Sequence, residues 1–229
     1  MASPGELVAA VAKALAVPEP TVSQFDRILA ADSLRTKGGR GSSAAKITAA
    51  DAANLLIAIA ASPMAGPTVK SASQTCRGYS GLVALNMSDR PTTFPGASLQ
   101  VYELEELPAG HSFRDAVASI VDCARADVLD RAAKFSPRKR WNLFVTIESP
   151  IPKAAISLDT GFGNERVSYG PRPSRTTGPK SIWPGDLYQT RHFGAATVKL
   201  MAALLGPLKP TELREILSRR FSKSGASQI

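Results

Sequence analysis

The sequence predicts an α+β protein in which helices open and close the chain and a small antiparallel sheet lies between them. Three observations predict it. Apolar residues recur at helical spacing near both ends and again over 112–129. The stretch 141–169 is rich in β-formers broken by short turns. With 229 residues, 44% apolar and 21% charged, the chain has material for a real core and too little charge for disorder.

The elements follow in order. Leu7, Val11, Ala14 and Leu15 share a stripe over 5–16, and Pro18 and Pro20 stop that helix. A second helix is expected to start at Thr21, whose hydroxyl can cap the next amides, with Val22, Phe25 and Leu29 turned inward and Ser23, Gln24 and Arg27 outward. Residues 34–47 read as a β-hairpin, because the adjacent Gly38 and Gly39 allow the positive φ of a tight turn, and its tip is basic. Thr48 and Asp51 form a capping box for a helix running to Ser62, ended by Pro63. Residues 68–85 read as a weak helix and 89–98 as a connector. After a strand at 99–104, Ser112 and Asp115 open the strongest helical pattern, which includes Phe113, Val117, Ile120, Val121 and Val128. Strands are expected at 141–147, 154–158 and 166–169, irregular chain at 170–185, helices at 186–205 and 211–221, and a tail over 222–229.

The expected organisation is 1–62 as one domain, 63–98 as a helical segment and linker, 99–221 as an α+β dimerisation or partner domain, and then the tail. Charge is unevenly distributed. Lysine and arginine number 28 against 19 acids, a formal charge of +9. Residues 99–131 hold seven acids and three bases, whereas 134–180 hold nine bases and three acids. A chain with pI near 9.8 suits a polyanionic partner. Its longest apolar run, 55–61, is far short of the roughly 20 residues that span a bilayer, so no membrane partner is expected. No secretory signal is evident, because Glu6 and Lys13 interrupt the first apolar stretch and no basic segment precedes it. Cys76 and Cys123 cannot form a disulfide framework, which fits a reducing, cytoplasmic and nucleoid-associated setting.

Helix, turn, helix, basic glycine hairpin and capped helix over 5–62 is the layout of a winged helix-turn-helix. Thr21-Val22-Ser23-Gln24-Phe25-Asp26-Arg27, followed after the wing by Thr48, Asp51 and Leu55, resembles the MerR-like DNA-binding domain. In that family the position of Ser23 is customarily arginine, and the wing, here Lys37 to Gly41, usually carries an aromatic. The glycine-arginine wing before a Thr-capped helix also resembles regulators of phages and prophages. The resemblance implies a DNA-binding transcription regulator.

The residues support that chemistry directly. Arg35, Lys37, Arg40 and Lys46 on or beside the wing can neutralise phosphates, and Arg40 can enter a narrow minor groove. Thr21, Ser23, Gln24 and Arg27 can face base edges, glutamine suiting adenine and arginine suiting guanine or phosphate. Arg27 has a bland alternative, a local pairing with Asp26 or Ser23. Arg138, Lys139 and Arg140 form a basic run that is either a solvated turn or a second nucleic-acid contact.

Enzyme motifs are absent from the sequence. Neither Gly38-Gly39-Arg40-Gly41 nor Gly161-Phe162-Gly163 continues into a phosphate-binding or dinucleotide motif. His111, His192 and the cysteines lack metal-ligand spacing, and no cofactor is expected. The expected partners are double-stranded DNA, a second copy of the chain or a higher oligomer, since one small module offers few base contacts, and RNA polymerase or another regulator. The 111–134 helix is the candidate for the contact between copies. Two other readings remain open: a phage packaging (small terminase) or excision factor using the same DNA-binding module, and a basic RNA-binding or protein-interaction module in which Trp141, Phe144 and Tyr169 line one sheet.

Overall fold

A computed structural model describes residues 2–37, 46–62, 71–85, 101, 104, 107, 108, 110–159, 164–171 and 188–225. Among them are eight helices and a five-stranded antiparallel sheet, an α+β architecture. In chain order the elements are α1 (Pro4–Leu15), α2 (Glu19–Ala31), α3 (Ala49–Ala60), α4 (Ala72–Ser80), β1 (Val83–Ala84), α5 (Phe113–Arg125), α6 (Val128–Ala133), β2 (Asn142–Ser149), β3 (Lys153–Asp159), β4 (Asn164–Gly170), β5 (Gln189–Gly194), α7 (Ala195–Leu205) and α8 (Pro210–Gly225). The sheet order is β1-β4-β3-β2-β5.

Local chemistry starts helices at three places, at Thr48 and Ser112 as expected and also at Ser3. Ser3 and Glu6 form a reciprocal capping box on α1, Thr48 and Asp51 form one on α3, and the Ser112 hydroxyl accepts from the Asp115 amide on α5. The expected start of α2 at Thr21 is corrected. The helix begins at Glu19 with Pro20 in its first turn, where a missing N–H leaves no intrahelical bond unmade.

α5 occupies the centre of the helical layer, packed on α3 from one side and on α7 from the other. Of the eleven residues 113–123 all but the half-buried Arg114 are buried. α3 is likewise buried almost all round through Leu55, Leu56 and Ile57, as a helix apolar on every face must be. The candidate contact between copies at 111–134 is therefore corrected: its first helix is interior, and it ends at Arg125, with Asp127 left-handed before α6. The core is continuous from Leu7 to Leu217, so packing crosses the boundary expected at residue 62.

β2 alternates, with Leu143, Val145 and Ile147 turned inward and Asn142 and Phe144 outward. Val145 lies opposite Ile156 of β3 and Phe193 of β5, and Ile156 lies opposite Val167, which makes one apolar row across four strands. The helix expected over 186–205 is corrected, because 189–194 is the edge strand β5 and helix begins only at Ala195. The helix expected over 68–85 shortens to α4 and gives way to β1. α8 continues through Gly225, so part of the expected tail is helical. Of the strand expected at 99–104 only Val101 and Leu104 are described, and both are buried.

Charged ties close the layers. The buried Asp122 holds Arg125 at 2.8 Å and Arg220 of α8 at 2.6 Å, and Arg220 also donates to the Ser119 hydroxyl at 2.9 Å. Arg125 in turn donates from Nε to the Gly206 carbonyl just beyond α7. Asp130 accepts from Trp141 Nε1 and pairs with Lys199, whose ammonium lies 4.9 Å over the Trp141 ring.

Candidate nucleic-acid interface

α1 and α2 are joined by three residues, 16–18, with Ala16 in the left-handed region at φ 52° and its N–H bonded back to Ala12. A link of this length is common to αα-hairpins and helix-turn-helix pairs. Val22, Phe25, Asp26 and Leu29 face inward from α2. The opposite ridge is exposed: Pro20, Gln24, Arg27 and Ala31 follow one another at helical spacing, with Thr21 and Ser23 half-buried beside them.

The burial of Asp26 decides what its neighbours do. Its Oδ1 faces Arg35 Nε at 2.6 Å, held by charge rather than by an aligned hydrogen bond, with both side chains largely enclosed. Burial pushes the Asp26 carboxyl above the ordinary range, further than the Arg35 guanidinium draws it down, and nearby Asp51 adds to the rise. The pair with Asp26 turns Arg35 toward the interior, and its guanidinium also donates to the Thr36 carbonyl at 2.8 Å. Arg27 keeps clear of this pairing, with no hydrogen bond or ion pair among the described residues.

Asp51 is the second organiser and was legible in the sequence only as a helix cap. One carboxylate oxygen accepts from the Thr36 amide at 2.7 Å, and the other accepts from the Thr48 amide at 2.8 Å and the Thr48 hydroxyl at 2.7 Å. The Thr36 hydroxyl reaches both oxygens at 3.0–3.1 Å. A single buried side chain thus clasps both ends of the segment 37–47. Asn54 Nδ2 adds a bond to the Leu34 carbonyl at 2.6 Å. Lys37 donates to the Ala31 carbonyl at 3.0 Å, where the negative end of the α2 dipole attracts a cation. Lys46 is exposed, and next to it Ile47 donates its amide to the Ala2 carbonyl. The expected hairpin turn and Arg40 lie outside the described residues, and the flanks 34–37 and 46–48 are not strands.

The structure therefore exposes Gln24 and Arg27 on α2, Lys37 at its C-terminal end and Lys46 beside the start of the chain, half-exposes Thr21 and Ser23, and places Arg35 in a structural ion pair. The second basic run lies elsewhere. Arg138, Lys139 and Arg140 occupy an exposed turn in which Lys139 donates its amide to the Ser136 carbonyl at 2.9 Å, and Arg138 pairs with Asp159 of β3 at 2.8 Å.

The three aromatics expected to line one sheet do not share a face. Trp141 and Tyr169 are buried, and only Phe144 stands on the open side, 49% exposed. The Tyr169 hydroxyl instead meets His111 Nε2 at 2.9 Å, while His111 Nδ1 lies 2.9 Å from the Pro108 carbonyl. Burial lowers the His111 pKa below its ordinary value and raises that of Tyr169.

Cys76 is buried and its thiol is pushed up to about 11, chiefly by desolvation. Among the described residues no group of three or more His, Cys, Asp and Glu side chains is placed to hold a metal, and no helix is long and apolar enough to cross a membrane. Comparison with known protein families, with curated proteins and with solved structures finds no match.

Proposed function

We propose that this is a sequence-specific double-stranded DNA-binding protein of the transcription-regulator type, with the winged helix-turn-helix of its first 62 residues as the reading module. The observation that carries the reading is the exposed ridge of α2. Gln24 and Arg27 stand exposed, with no side-chain partner among the described residues, on a helix whose opposite side is locked into the core, directly after a three-residue turn. A rigid helix presenting an amide and a guanidinium can make bidentate contacts to adenine and guanine in the major groove. Asp51 ties Thr36 and Thr48, which bracket Lys37 and Lys46, two cations suited to the flanking phosphates.

A single such helix offers few base contacts, so specificity calls for two copies on paired half-sites. With α5 enclosed, the contact between copies belongs to some other surface. The experiment is selection of bound duplexes from a randomised pool at near-physiological salt, because low salt rewards any cationic protein. Enrichment of half-sites about one helical turn apart is expected. Gln24→Ala is expected to relax base preference by about 1–3 kcal/mol at one position, while Lys37→Ala weakens all sequences alike. Sequence-blind losses from both variants would remove Gln24 from the reading surface.

A further inference from the structure

We infer that the outer face of the sheet, together with the basic turn at 136–140, is a binding site for single-stranded RNA. It shares no residue with the α2 surface and does not depend on the duplex-binding reading.

The register places Phe144 of β2 beside Ser157 of β3, and Ser157 beside Arg166 of β4. On its other side Phe144 faces Gly194 of β5. A Cβ at Gly194 would stand 2.8 Å from the Leu143 carbonyl oxygen, so the backbone itself keeps that flank of the ring bare. A half-exposed phenyl ring with bare backbone on one side and a guanidinium about 10 Å away across two strands has the form of a stacking platform.

The next row completes the site. Asn142 lies opposite Asp159, and these two residues also line a cleft of about 320 Å³ with Arg138, Arg140 and Trp141. The cleft and the platform therefore lie in neighbouring rows of one face, two residues apart along β2. The turn that delivers the cations is fixed, for the Ser136 hydroxyl bonds to the Arg140 carbonyl and Lys139 holds φ at 49°, which a residue with a side chain seldom adopts.

Charge selects a polyanion. Five bases, Arg138, Lys139, Arg140, Lys153 and Arg166, stand on this face and its turn against Glu148 and Asp159, and Asp159 is already bonded to Arg138. Among the described residues the guanidinium groups of Arg140 and Arg166 make no hydrogen bond or ion pair, the bond at Arg140 being to its backbone carbonyl. The aromatic selects unpaired bases, because a ring lying on a sheet can stack only on a base that has left its duplex. Asn142, Thr146 and Ser157 around the ring supply the hydroxyl and amide groups that read a ribose 2′-OH, which favours RNA over DNA.

The test uses the full chain and fluorescein-labelled oligouridylate of about 12 nucleotides, within the usual site sizes, at near-physiological salt and with an oligodeoxyuridylate of equal length beside it. Saturable binding that prefers the ribose chain is expected. Phe144→Ala is expected to weaken it about 5- to 150-fold without changing its salt dependence, as loss of one base stack would. Arg140→Ala is expected to lower the slope of log K against log salt by about 0.7. Phe144→Leu, which keeps the apolar surface and removes the ring, is expected to lose as much, with thermal melts reporting that both variants fold. Arg27→Ala is expected to leave oligouridylate binding unchanged, which separates this site from the duplex surface. Wild-type affinity in both Phe144 variants, or equal binding of the deoxyribose chain, overturns the proposal.

Discussion

Replacing Asp51 with alanine tests whether one carboxylate ties Thr36 to Thr48. The side chain is 4% exposed and accepts hydrogen bonds from two backbone amides, those of Thr36 and Thr48, besides two hydroxyls. Truncation strands both amides, whereas the hydroxyls can turn toward water. A hydrogen bond to a charged group is worth about 1.5–3 kcal/mol, so two amount to about 3–6 kcal/mol. The amides are only partly buried and water can reach them, which brings the expected loss to about 2–4 kcal/mol. For a chain of this length that lowers Tm by about 4–16 °C. Urea denaturation followed by circular dichroism measures the loss. Thr36→Val removes one hydroxyl and keeps both amides bonded, so about 1 kcal/mol is expected there. A loss below about 1 kcal/mol for Asp51→Ala, or a larger loss for Thr36→Val, would refute the clasp. If it holds, Asp51→Ala is also expected to weaken duplex binding under conditions where the variant is fully folded.

Arg220→Ala is expected to lose about 2–3 kcal/mol in the same assay, because Asp122 keeps Arg125 as a partner; Asp122→Ala leaves two enclosed guanidinium groups unpaired and is expected to lose more. A double-mutant cycle showing additivity would refute the coupling. The lowered pKa of His111 has a definite sign: below the ordinary value of 6.5 the unfolded chain takes up a proton that the folded chain resists. Stability contributed by this group is therefore fully present above 6.5 and is lost as pH falls toward the folded value, by at most about 1.4 kcal/mol per pH unit, and denaturation of His111→Gln across that range is expected to show a flatter dependence. Cys76, buried and with its thiol pushed up to about 11, is expected to resist alkylation by iodoacetamide at neutral pH until urea unfolds the chain; labelling in the native state would show that this part of the core opens.

Much of the fold was legible because its local signals are unshared. The capping pairs Thr48 with Asp51 and Ser112 with Asp115 start helices by themselves, and the alternation of Leu143, Val145 and Ile147 specifies a strand with one buried face. Residues 189–194 misled because the apolar spacing of α7 continues upstream, while their strand state comes from pairing with β2, a partner some 45 residues away. The candidate site was legible as an exposed ridge on α2. The partner of Arg35 was not, because Asp26 lies nine residues earlier and only burial selects it. Likewise the placing of Phe144 and Arg166 in one row, with Ser157 between them, is set by β-register, which hydropathy alone does not disclose.

The enclosure of α5 between α3 and α7 has a consequence for how the protein is made. α3 leaves the ribosome early, yet the helix that covers it spans 113–125 and the helix that covers that one ends at Leu205. At about 5–20 residues per second, roughly 7–30 s of synthesis separate the emergence of Leu55, Leu56 and Ile57 from that of their last cover. During that interval this strongly apolar helix is a natural client for chaperones, and a message truncated after residue 62 would leave it with α1 and α2 alone and the faces that α4, α5 and α7 cover exposed for good.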